Sequence, residues 1–237
     1  MKSPLPILRP LRAAFTLVEL LVVIAIIAIL MGMLIATFGP TQDTVRRNQA
    51  QAQARAIVSA CNHYLTDYGK YPAIVGAQDT ATNPTYYAYG DAVKTSAKCK
   101  AGNSDLFDVL RSNNTGVNAD YALNKRRVVY IEQTVARDAK NPRGGFTDGT
   151  QFGSGIPQGA LMDPWGVQYC IVLDAAGNDR LDLSPFFSDL AGPTSAIRAT
   201  AVAFSTAKDG AIGGPGYSGK FRPGNAGLRP DDLVSWE

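Results

Sequence analysis

A single carboxylate, Glu19, stands near the start of an otherwise apolar run, AFTLVELLVVIAIIAILMGMLIATF, which extends from Ala14 to Phe38. If the residues before Phe15 were removed, a new amino group would appear one helical turn from Glu19. That amine could meet the carboxylate of a neighbouring copy where lipid and water are excluded. Such a pair would set the axial register between copies, because an unpaired buried charge is strongly penalised. The alternative is a passive acid that reaches the membrane edge. Three more carboxylates, Asp209, Asp231 and Asp232, lie in loop context around a Gly-rich stretch. Calcium takes six to eight oxygen ligands, and glycine lets a loop turn its carbonyls inward. The other reading of these acids is a set of solvated turn residues.

Little else in the chain has the residue types for chemistry. His63 is the single histidine, with no second His or Cys at ligand spacing, and reads as structural or exposed. Cys61, Cys99 and Cys170 make an odd set without CxxC spacing, which disfavours a thiolate metal site. One disulfide and one free thiol would suit an extracytoplasmic domain, and the sequence does not choose the pair. Asp179 and Asp182 flank Arg180 and read as surface. No Ser/His/Asp or Cys/His set can be assembled, so no enzymatic activity is expected. The balance of 23 basic and 20 acidic side chains lacks a nucleic-acid footprint, so no nucleic-acid partner is expected.

The elements that must position these groups begin with the apolar run. From Phe15 to Phe38 it covers about 24 residues, and roughly 20 suffice to cross a bilayer as a helix. Signal-peptide cores are shorter, about 7–15 residues, and end at a cleavage site. The leader before it carries Lys2, Arg9 and Arg12 and no acid, which favours a cytoplasmic N-terminus. Beyond the run, Val45, Ala52, Ala56, Ala60, Tyr64 and Tyr68 recur at mostly three- to four-residue spacing, widened by Ile57 and Leu65. Arg46, Gln49, Gln53 and Asn62 fall mostly to the side. Gly69 and Pro72 stop the pattern. This predicts one helix over Phe15–Tyr68, roughly 80 Å at 1.5 Å per residue and kinked near Gly39-Pro40.

The middle of the chain has weak periodicity. A short helix is expected over Asn103–Ser112 with Ser104 as its cap, and a strand over Arg127–Gln133. Asp163-Pro164-Trp165-Gly166 reads as a turn with a buried aromatic anchor. Strands are expected over Val167–Leu173 and Arg180–Leu183, joined as a hairpin through Asp174–Asn178, and again over Arg198–Phe204.

Phe15-Thr16-Leu17-Val18-Glu19-Leu20-Leu21 resembles the processing site of type IV prepilins and type II secretion pseudopilins. The resemblance implies cleavage between Ala14 and Phe15 by a prepilin peptidase, methylation of the new amine, and use of Glu19 in assembly. The family usually has Gly where this chain has Ala14. Tyr68-Gly69-Lys70-Tyr71-Pro72, Asp163-Pro164-Trp165-Gly166, Lys208-Asp209-Gly210 with Gly213-Gly214, and Asp231-Asp232…Trp236 together resemble the major pseudopilin of type II secretion. That resemblance implies a calcium site at Asp209, Asp231 and Asp232. The stretch between does not match, and the loop from Asp209 to Asp231 is longer than the family's.

The organisation expected is a leader over 1–14, a transmembrane and assembly helix over 15–38, and its continuation into the globular domain over 39–68. A variable middle region over 69–161 and a β-sheet with a calcium loop over 162–237 follow. The fold class is α+β and pilin-like: a long N-terminal helix packed on a small antiparallel sheet, with a loop-rich C-terminus. The function implied is a structural subunit of a pseudopilus filament. It would assemble with copies of itself and with an inner-membrane assembly platform, anchored once in the inner membrane with its C-terminal domain periplasmic. A type IV pilin for adhesion or DNA uptake is the alternative within the superfamily. A signal-anchored periplasmic binding or enzymatic domain is the alternative outside it.

Overall fold

Helix α1, Leu17–Tyr68, is one continuous helix that runs through Gly39 and Pro40, where a kink was expected, and it stops only at Gly69. Gly69 takes a left-handed conformation (φ 70°) and its N–H donates to the Leu65 carbonyl, which closes the last turn. The computed structural model describes residues 15–80, 84–91, 99–149, 151–153, 155–187, 196–208, 210, 212 and 233–235, with only the backbone of 34–41. The chain divides into two units, residues 1–44 and 45–237, and α1 contributes to both.

From Leu17 to Met33 the side chains of α1 are apolar apart from Glu19, and every described residue from Phe15 to Met33 is exposed. Among the described residues no helix is long and apolar enough to cross a membrane. The described apolar stretch, Leu17–Met33, is 17 residues long, short of the roughly 20 a span needs. The span expected over Phe15–Phe38 draws its remaining length from residues 34–38, whose side chains lie outside the description.

The second unit is built on a four-stranded antiparallel sheet. Strand β1 is Tyr86–Tyr89 and β2 is Cys170–Asp174. Strand β5 is Ala201–Ser205 and β6 is Leu233–Val234, and the order across the sheet is β1-β2-β5-β6. The central strands β2 and β5 are buried at every position, so both faces of the sheet are covered. Side chains alternate between those faces. Ile171, Leu173, Ala201 and Ala203 meet Ile57, Cys61 and Tyr64 of α1, together with Leu106, Phe107 and Leu110 of a second helix, α2 (Asn103–Leu110). Val172, Val202 and Phe204 meet Leu181, Leu183, Phe186 and Phe187 on the other side. This is the α+β arrangement expected, with the second half of α1 on one sheet face.

Several local expectations are corrected. The buried face of α1 runs through Ala50, Gln53, Ala54, Ile57, Ala60, Cys61 and Tyr64, while Val45, Ala52 and Ala56 are exposed. Alanine fits either face of a helix, so the large side chains Ile57 and Tyr64 decide the rotation. Arg180–Leu183 does not pair back on β2. The two-residue strand β3, Leu181–Asp182, pairs with β4, Ala196–Ile197, and β2 lies between β1 and β5. Residues 127–133 form no strand. Helix α2 is preceded by Gly102 at its cap with no side-chain cap bond, so Ser104 does not cap it. Trp165 is only half-buried, and the anchor of its turn is the fully buried Asp163. Strand β1, which pattern reading missed, comes from the tyrosine-rich middle of the chain and pairs with β2 in the C-terminal part.

Candidate functional site

The head of α1 is where the structure gives Glu19 a local role. Thr16 precedes the helix as its N-cap, and Glu19 is the third residue of the first turn. The Thr16 N–H and hydroxyl each donate to Glu19 Oε2 at 2.8 Å. The Glu19 N–H donates back to Thr16 Oγ1 at 3.2 Å. This reciprocal set is a capping box, which satisfies donors that a helix start otherwise leaves open. Within the isolated subunit the carboxylate therefore has partners and a fixed orientation beside residue 15. Phe15, the first described residue, is 78% exposed, and Ala14 lies outside the described residues. The spacing Thr-x-x-Glu ahead of an apolar run carried this signal, and pattern reading had assigned Glu19 no local partner.

The chemistry open to this arrangement is association. Phe15, Leu17, Leu20, Leu21, Ile24 and their neighbours form an apolar surface on all sides of the helix. A helix that is apolar all round is stable only when lipid or other helices cover it. The carboxylate at its head is the one charged side chain described between Phe15 and Met33.

Residues 9–35 match the family model described as the prokaryotic N-terminal methylation motif. The chain carries a prepilin-type methylation motif. Its matched residues include Ala14, Phe15, Thr16 and Glu19, so the capping box sits inside the motif that prepilin processing reads. No curated protein and no solved structure matches the chain.

The other predicted site residues fall differently. Asp209, Asp231 and Asp232 lie outside the described residues. Among the described residues no group of three metal-ligating side chains comes together. What is described is the frame of their loop. Phe204 pairs with Val234 and Ser205 with Leu233, so the two ends of the segment 206–232 leave from adjacent strands. At the head of that segment Thr206 Oγ1 is buried and has no hydrogen-bond partner among the described residues. Asp163 fixes the strand end beside it. Its Oδ2 accepts the Ser205 hydroxyl at 2.5 Å, and its Oδ1 accepts the N–H groups of Trp165 and Val167, both at 2.9 Å. Burial nevertheless holds this carboxyl above the usual carboxylate range.

The cysteines are resolved by the fold. Cys99 and Cys170 form a disulfide, and Cys61 is a free thiol buried on α1 against the sheet. Burial pushes the Cys61 thiol up to about 12, so it stays protonated and unreactive. His63 is exposed, in keeping with its reading. A buried polar link was missed. Gln53 Nε2 donates to Gln133 Oε1 at 2.7 Å, and the Tyr169 hydroxyl donates to Gln53 Oε1 at 2.7 Å, tying α1 to the middle region and to the sheet.

Proposed function

We propose that the protein is a structural subunit of a pseudopilus-type filament, cleaved before Phe15 and N-methylated by a prepilin peptidase. The observation that carries this reading is the Thr16–Glu19 box inside the methylation motif, at the head of a helix apolar on every face. Cleavage frees the Phe15 amine beside a carboxylate already oriented by Thr16. In a bundle of such helices the amine of one copy meets Glu19 of the next. The box then acts as a holding position for the charge until assembly.

Type II protein secretion is the setting we favour, with the helix anchored in the inner membrane and the second unit in the periplasm. A buried disulfide supports an oxidising compartment for that unit. The role is structural rather than enzymatic. Calcium belongs to the same proposal: Asp209, Asp231 and Asp232 would hold it. The β5–β6 register, which brings the two ends of segment 206–232 to adjacent strands, and the buried Thr206 hydroxyl, unpartnered among the described residues, support this reading. Bound calcium would supply positive charge that draws these carboxylates together and secures the C-terminus.

The test is the N-terminal mass of the protein recovered from its own membranes. A chain that begins at N-methylated Phe15 is expected. A retained leader at full occupancy overturns the filament reading and leaves a signal-anchored domain. Filament length and the secretion phenotype of a deletion then separate a pseudopilus from a type IV pilus of adhesion or DNA uptake.

A further inference from the structure

The segment 137–143 is a loop held at both ends by paired backbone. The Ala136 N–H donates to the Phe146 carbonyl at 2.8 Å, and the Phe146 N–H to the Thr134 carbonyl at 3.0 Å. A Cβ at Gly145 would come within 2.5 Å of the Thr134 oxygen, so glycine is what lets the two arms approach this closely. Gly144 has a φ of +63°, and a Cβ there would meet Gln49 Nε2 of α1 at 2.9 Å. Inside the loop, Asp138 Oδ1 accepts the N–H groups of Lys140 at 2.9 Å and Asn141 at 3.2 Å. This frame brings Arg137 and Arg143, one from each end of the loop, to a single cavity of about 550 Å³ that Gln49 also lines.

The lining has a definite chemistry. Its charges are two guanidiniums and one carboxylate, Asp138, whose Oδ1 is already engaged by its own loop. No carboxylate lies within ion-pair distance of Arg137 or Arg143 among the described residues. Gln49, Thr134 and Asn141 add neutral groups that both donate to and accept from hydroxyls. Val135, 42% exposed, supplies an apolar edge. Among the described residues no aromatic side chain lines the cavity, so an unpaired base would have nothing to stack on. The volume is that of a small-molecule site rather than a groove for a polymer. A ligand that uses the whole lining carries an anion that accepts paired N–H donors, a polyol, and an apolar part.

The position in the chain makes the same choice. Gln49 follows Phe38, the end of the apolar run, by eleven residues of continuous helix. At 1.5 Å per residue that is a tether of about 17 Å, a limit that holds however the two units are set. Arg46 and Arg47 precede Gln49 on the same helix and also have no ion-pair partner among the described residues. Basic residues this close to a membrane-embedded helix are drawn to anionic lipid.

We propose that this cavity binds the phosphoglycerol headgroup of an anionic phospholipid. The Arg137 and Arg143 forks hold the phosphate oxygens. Gln49, Thr134 and Asn141 take the glycerol hydroxyls, and Val135 lies against the start of the acyl chains. The inference rests on the part of the proposed function that embeds the apolar run in a membrane, and needs neither cleavage nor assembly.

The test is calorimetric titration of the full chain in non-ionic detergent at physiological salt. Dihexanoylphosphatidylglycerol is expected to bind at one site at least tenfold more tightly than dihexanoylphosphatidylcholine, which has the same chains and phosphate but no net charge. Glycerol 3-phosphate, the soluble source of the same chemistry, is expected to bind at least tenfold more weakly than the lipid because it leaves the apolar edge uncovered. Arg137→Gln/Arg143→Gln is expected to weaken lipid binding at least tenfold. The control is Lys125→Gln/Arg126→Gln/Arg127→Gln, which removes three exposed charges from another turn, closed by the Arg127 N–H donating to the Asn124 carbonyl at 3.0 Å. It is expected to leave affinity within about twofold, since exposed charges outside the site are screened. The proposal is overturned by no binding of phosphatidylglycerol, by equal binding of phosphatidylcholine or glycerol phosphate, by unchanged affinity of the double variant, or by an equal loss in the triple variant. A retained leader with the lipid bound overturns the filament reading alone. A methylated Phe15 without lipid binding overturns this inference alone.

Discussion

Removing the Cys99–Cys170 bridge should cost the second unit a large share of its stability. The two cysteines are 71 residues apart and both are buried, Cys99 in a loop and Cys170 at the start of the central strand β2. The loop they close contains α2, the turn at Asn124 and the Asp163 turn. The chain-entropy relation for a closed loop of this length gives about 4 kcal/mol at 25 °C. A domain of this size has a total stability of about 5–15 kcal/mol. At about 2–4 °C per kcal/mol, reduction should lower the melting temperature by roughly 8–16 °C. The assay compares thermal and urea unfolding of the full chain with and without reductant. Reduction keeps both sulfurs in the core, whereas Cys99→Ala/Cys170→Ala also opens space, so the double variant should be at least as unstable as the reduced protein. Thiol titration supplies the control. The denatured, unreduced chain should show one thiol, Cys61, and the reduced chain three. Equal midpoints with and without reductant would refute the reasoning, as would three thiols before reduction.

Glu19→Gln separates the two roles of that residue, because glutamine completes a capping box and carries no charge. We expect Glu19→Gln to be cleaved and methylated normally yet fail to form filaments, and Thr16→Ala to assemble with reduced yield. Filaments from the Gln variant would show that capping alone matters. Asp163→Ala leaves two backbone N–H groups and the Ser205 hydroxyl without their acceptor and should cost about 3 kcal/mol or more in urea unfolding. Because the folded carboxyl titrates above the ordinary value of 3.8, the folded chain binds more protons than the unfolded chain between those two values. Its contribution to stability therefore falls as pH rises through that window. Asp163→Asn should flatten that part of the profile, which a urea series from pH 4 to pH 7 would detect. Gln53→Leu removes the nearer of two acceptors of the Tyr169 hydroxyl, leaving the Ala50 carbonyl at 3.4 Å, and also the donor to Gln133; it should cost about 1–3 kcal/mol by the same assay, and no loss would show that the link is not needed.

How much of this was legible in the sequence depends on whether the signal was local. The apolar run, the long helix and its stop at Gly69, the strands β2 and β5, and the motif around Phe15 and Glu19 all show within a few residues. Local chemistry determines them: side-chain hydropathy, helix propensity and the conformational freedom of glycine. The capping box was also legible, as Thr16 and Glu19 three residues apart, and went unread because Glu19 was considered against distant partners rather than near ones.

Tertiary structure decided the rest. Cys61, Cys99 and Cys170 are equivalent as letters, and only the fold brings Cys99 to β2 while it seats Cys61 under α1. The rotation of α1 was set by which large side chains found the sheet, because alanines on both faces left the pattern degenerate. Strand β1 and the partner of β3 followed from pairing across long stretches of chain, where hydrogen-bonding edges are filled by whichever strand arrives. Lys125, Arg126 and Arg127 are already adjacent in the sequence, and what the fold adds is the buried Asn124, whose four hydrogen bonds hold the turn that carries them.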